Sequence, residues 1–98
     1  MAAPKLVSVD FEVFGLVQGV FFRKYTQEQG MKLGVVGWCR NTSHGTVAGQ
    51  VEGPTQKVQL MKDWLSNVGS RASRIERAEF KNEKEIQDYT FKKFTIRH

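Results

Sequence analysis

Two segments with the spacing of amphipathic helices, residues 20–33 and 54–68, each lie between stretches with the two-residue period of strands, and that order leaves few folds open to the chain. The first strand signal is the clearest. Val7, Val9, Phe11 and Val13 alternate with Ser8, Asp10 and Glu12, the pattern of a strand covered on one side only. Gly15 and Gly19 bracket a short loop, and residues 20–33 follow as a helix whose inner face is predicted to be Phe22, Tyr25, Gln29 and Leu33. Gly34 suits the left-handed position that ends a helix.

Two further strands follow, Val35 to Thr42 and Thr46 to Glu52, joined by a turn over Asn41–Gly45. Gly53-Pro54 is expected to open the second helix, with proline at the first helical position. Val58, Met61, Leu65 and Val68 form its predicted inner stripe, and Gly69 stops it. Residues 74–80 alternate poorly and give a weaker strand, and Phe94, Ile96 and His98 suggest a last one. The order is βαββαβ plus an edge strand. Two such split units make an α+β, ferredoxin-like sandwich: an antiparallel sheet with both helices on one face. Ninety-eight residues suffice for a single domain spanning 1–98, with roughly two-thirds of its surface buried on folding.

The net charge of +5 favours an anionic partner, yet the basic residues are scattered. Residues 71–98 hold eight Lys/Arg among five Asp/Glu, which is a mixed solvated surface rather than a nucleic-acid stripe. No apolar run approaches a membrane span. Cys39 is the lone cysteine, so no internal disulfide can form, and Met1 to Val9 lack the apolar core of a secretion signal. A cytoplasmic, reducing setting is expected, and Asn41-Thr42-Ser43 is then an idle glycosylation sequon.

Chemistry concentrates in the first strand-to-helix connection, Gly15-Leu16-Val17-Gln18-Gly19-Val20-Phe21-Phe22-Arg23. Glycines allow successive N–H groups to point into one concavity. The helix that follows has no Ser, Thr, Asp or Asn before it, so its first N–H donors lack a side-chain cap and the positive end of its dipole is free. Arg23 adds a planar fork able to hold two oxygens of a phosphate. No Gly-Lys-Ser/Thr follows, so this is not a nucleotide P-loop. Asn41, at a strand end, is read either as a turn former or as an amide that orients a water. No paired-carboxylate or Ser-His-Asp arrangement is visible, His44 reads as a solvated turn residue, Cys39 as a buried thiol, and His44 and His98 lack metal-ligand spacing.

Gly15-x-Val17-Gln18-Gly19-Val20-x-Phe22-Arg23 resembles the first signature of the acylphosphatase family. Gly37-Trp38-Cys39-Arg40-Asn41-x-x-x-Gly45-x-Val47, followed by Gly53, resembles the second. The resemblance covers nearly all the chain. It implies a five-stranded ferredoxin-like fold and hydrolysis of the carboxyl–phosphate bond of acyl phosphates. It implies that Arg23 and the backbone N–H groups of Gly15, Leu16, Val17, Gln18, Gly19 and Val20 bind the phosphate, and that Asn41 orients the attacking water. Neither metal nor cofactor is implied, and His98 carries no role in the pattern. The expected partners are a small acyl phosphate and, as competitors, inorganic phosphate or sulfate, with no nucleic acid, no membrane and a monomeric state. The main rivals are an RNA-binding module of the same topology and an anion sensor without turnover. Against the first, the third strand lacks an aromatic platform and the first presents Asp10 and Glu12 outward.

Overall fold

The computed structural model describes residues 5–98. The elements run β1 (Leu6–Leu16), α1 (Phe22–Leu33), β2 (Val36–Asn41), β3 (Val47–Pro54), α2 (Thr55–Asn67), β4 (Arg74–Ile86) and β5 (Phe94–Ile96). One five-stranded sheet has the order β4-β1-β3-β2-β5. The first four strands pair antiparallel, as expected of a ferredoxin-like sheet; β5 joins the edge parallel to β2, so the sheet is mixed.

Register follows the alternation of β1. Val9, Phe11 and Val13 stand opposite Val51, Gly49 and Val47 of β3, all on the face that the helices cover. Phe22 of α1, Val58, Met61 and Leu65 of α2, and Phe94 of β5 close the same core. The helices meet where the rings of Phe22 and Trp64 lie 5.8 Å apart. Fully burying side chains of this size contributes about 1.5–3 kcal/mol each.

The buried face of α1 differs from its predicted one. Phe22, Thr26 and Gly30 point inward, and Tyr25 is exposed. Thr26 is tolerated because its hydroxyl donates to Phe22 O at 2.7 Å. Gly30 is needed for close approach, since a Cβ there would meet the Phe94 ring at 2.8 Å. A helix pressed this tightly onto β5 has no room for a large apolar stripe. Val68 is likewise exposed, because it lies past the last turn of α2, where the backbone has left helical phase. Pro54 is the cap residue of α2 and the end of β3, with extended ψ of 142°, rather than the first helical residue. The expected strand 74–80 continues to Ile86, and the last strand stops at Ile96, short of His98.

The opposite face of the sheet is polar but ordered. Gln50 donates to Ser8 Oγ at 3.0 Å, and Asn82 donates to Asp10 Oδ2 at 2.8 Å. Glu52 is buried under the segment before β5 and accepts from the N–H groups of Thr90 and Phe91 at 2.8 and 3.2 Å.

Candidate active site

The loop between β1 and α1 is held at four points. Gly15 and Leu16 still belong to β1, paired with Ile75 and Arg74 of β4 after a register shift beside Phe14. Val17 is buried in the core. Gln18 donates from Nε2 to both Thr42 O and Thr46 O at 2.9 Å, which ties the loop to the β2–β3 turn. Ser70 Oγ donates to Val20 O at 2.8 Å.

These anchors leave the N–H groups of the loop uncommitted. Among the described residues, no hydrogen bond in a loop, turn or cap is donated by an N–H of residues 17–21. Gly19 has φ of 75°, and a Cβ there would meet nothing within 4 Å, so the backbone faces open space. Phe21, the residue before α1, also has a left-handed conformation (φ 60°, ψ 24°) and is largely exposed. A bulky side chain in that region costs about 1–3 kcal/mol, a strain found mainly at ligand sites and switches. No side chain caps α1, as the sequence predicts. The first N–H groups and the positive helix end are therefore available to an anion.

A cavity of about 280 Å³ opens at this point, lined by Val17, Gly19, Phe21, Phe22, Arg23, Lys24, Asn41, Ile96 and His98. Arg23 and Asn41 thus share one pocket although α1 and β2 supply them separately. Its charged lining groups are both cations, Arg23 and Lys24. The side-chain oxygen Oδ1 of Asn41 is buried and has no hydrogen-bond partner among the described residues. The turn that follows it is braced by the chain Thr42–Thr46–Glu12, with both hydroxyl contacts at 2.6 Å.

Of the expected phosphate-loop residues, Val17 and Gly19 line the cavity. Gly15 and Leu16 lie in the strand, Gln18 acts as the tether described above, and Val20 is half-buried beside Ser70. Phe21, Phe22, Lys24, Ile96 and His98 line it without having been anticipated. The uncapped helix start pointed toward the first three; no local signal pointed to the last two. His44 is exposed in the turn and outside the lining. Cys39 lies beneath the pocket, its Sγ 3.8 Å from Arg23 O. Burial pushes its thiol up to about 12, against a smaller downward pull from Arg23. At neutral pH it is therefore a protonated core residue, not a nucleophile. Among the described residues no group of three or more His, Cys, Asp and Glu forms a metal cage, and no helix is long and apolar enough to cross a membrane.

The family model for acylphosphatase matches residues 9–96. The chain belongs to the acylphosphatase family. It is 61% identical over 97 residues to acylphosphatase-2 of Gallus gallus, covering 99% of this chain and 94% of that one. It is 58% identical over 96 residues to acylphosphatase-2 of Homo sapiens, covering 98% and 97%. Among solved structures, an acylphosphatase from Coxiella burnetii superposes with a TM-score of 0.83 at 27% identity, over 99% of this chain and all of the other. One from Bacillus subtilis gives 0.82 at 28% identity, over 94% and 99%. The acylphosphatase activity, hydrolysis of acyl phosphates, follows from this membership.

Proposed function

We propose that the enzyme binds the phosphoryl end of an acyl phosphate between Arg23 and the free N–H groups of the β1–α1 loop, and that Asn41 aims the attacking water. The observation that carries this reading is the orphaned Asn41 Oδ1, which is buried in the same cavity as Arg23. A buried acceptor without a partner is costly, and a water held there satisfies it.

The chemistry needs little more. An acyl phosphate is a mixed anhydride whose leaving group, a carboxylate, departs without a proton. Phosphoryl transfer proceeds through a loose transition state in most analyses, so positioning and charge stabilisation carry most of the catalysis. The water oxygen forms a bond to phosphorus as the phosphorus–acyl oxygen bond breaks. The electron pair leaves with the carboxylate, and the water proton passes to a phosphate oxygen. Arg23 and the helix N-terminus stabilise the charge on the equatorial oxygens. Because every group named grips the phosphate end, the acyl group is loosely selected, and phosphate and sulfate compete with substrate. Action as a cytoplasmic monomer, from one unit spanning 1–98, belongs to the same proposal, and sedimentation of the purified protein tests the monomer.

Asn41→Ala is the deciding variant. With the phosphate cradle intact, sulfate affinity and the urea midpoint stay near wild type. The kcat for benzoyl phosphate falls by about 100-fold or more, the scale of deleting a preorganised polar group at a reacting centre. Retained kcat with lowered stability would make Asn41 a turn residue only.

A further inference from the structure

Beyond β5, Arg97 N still donates to Cys39 O of β2, and His98 Nδ1 comes to 3.3 Å from Arg23 Nη1. This contact joins residues 75 apart in sequence. It also places an imidazole on the wall of the cavity that holds Arg23 and Asn41. We propose that His98 is a proton-linked member of the anion site: neutral and accepting from Arg23 when the pocket is empty, protonated and attracting the anion when it is filled. The inference rests on the assignment of Arg23 to phosphate binding.

Its physical basis is the exchange of roles at one nitrogen. A guanidinium has only donors, so an imidazole nitrogen facing it must be an acceptor, which requires the neutral ring. From α1, His98 faces the cations Arg23 and Lys24 across the cavity. From β2 come uncharged Asn41 and Cys39, whose thiol burial keeps protonated. On its own segment, Ile96 lines the pocket and Arg97 lays its guanidinium over the Trp38 ring at 4.2 Å. Among the described residues, none of Arg23, Lys24 and Arg97 is ion-paired to a carboxylate. A bound dianion takes the N–H groups of Arg23, frees His98 Nδ1, and attracts a proton to the ring. By linkage, anion binding takes up a proton, and affinity rises as pH falls through the histidine range.

Sulfate is the probe, because it remains a dianion through this range whereas phosphate does not. Its dissociation constant is measured by calorimetry between about pH 5 and 8, in buffers of different ionisation enthalpy so that protons are counted directly. For the wild type, affinity rises by about tenfold toward the acid end, with proton uptake, on the scale of one added charge a few ångströms from the anion near a protein surface. His98→Gln keeps a neutral acceptor and binds weakly with no pH slope. His98→Lys carries a fixed charge and binds tightly with no pH slope. His44→Gln keeps the wild-type slope. A flat wild-type profile, or a slope that survives His98→Gln, overturns the inference. Arg23→Gln separates it from the reading beneath it: if that variant binds sulfate as well as wild type, the phosphate cradle itself is misassigned, whatever His98 does.

Discussion

Replacing Glu52 by alanine removes the acceptor that fixes the segment leading into β5. Its Oε1 receives two backbone N–H groups, from Thr90 at 2.8 Å and Phe91 at 3.2 Å, and the residue is 1% exposed. A hydrogen bond to a charged group contributes about 1.5–3 kcal/mol. Two such bonds to one oxygen are not additive, and the freed segment, being on the surface, can turn its N–H groups to water. The net loss expected for Glu52→Ala is therefore about 2–4 kcal/mol, and for Glu52→Gln, which keeps an acceptor of the same size, about half of that. With a urea slope of about 2 kcal/mol/M, the alanine variant's midpoint falls by about 1–2 M at unchanged slope. Hydrogen exchange gives the local reading: the amides of Thr90 and Phe91 lose protection in Glu52→Ala before those of β1 and β3. An alanine variant within about 0.5 kcal/mol of wild type, or one no weaker than glutamine, refutes the argument.

Other expectations follow from the site. Arg23→Gln weakens binding of substrate and of sulfate by about tenfold or more, the worth of one charge-assisted contact, as read by KM and by sulfate inhibition. Excess chelator leaves the hydrolysis rate unchanged if Arg23 and the loop N–H groups supply the positive charge; loss of rate that one divalent ion restores contradicts this. The Cys39 thiol, pushed from 9.0 up to about 12 in the folded chain, stays protonated where the unfolded thiol ionises. Unfolding then releases a proton, so stability falls by about 1.4 kcal/mol per pH unit from about pH 9 upward, until the folded thiol also ionises. Cys39→Ala removes that component, and urea midpoints of the two proteins compared from pH 8 to about 11 test it.

Legibility in the sequence tracked the contrast between environments. β1 was readable because one face meets the core and the other meets Ser8, Asp10 and Glu12 chemistry, so apolar and polar residues alternate. The inner face of α1 was not, because Thr26 and Gly30 are buried for hydrogen bonding and for room under Phe94, neither of which hydropathy records. The far half of β4 was missed because an edge strand with exposed residues from Lys81 to Glu85 carries no alternation. Parallel pairing of β5 with β2 is a property of the assembled sheet and leaves no mark on three residues. The site divides in the same way. Arg23 and Asn41 sit in local motifs, whereas His98 reaches Arg23 only because β5 docks beside β2.

That docking has a kinetic consequence. β1 pairs with β3 and with β4 across long stretches of chain, and the pocket wall at Ile96 and His98 closes only when β5 finds the edge of β2. Loop-closure entropy must be overcome before such distant partners reward the chain, which places mixed α/β topologies between helical bundles and all-β domains in folding speed. Phe94 of β5 is part of the core, so the pocket wall and the core are completed by the same docking. On the proposed binding mode, recovery of anion binding reports that β5 has docked, and a bound anion, held from α1, β2 and the segment after β5 together, slows the departure of that strand. The enzyme's ligand is in this sense also the clasp on its edge strand.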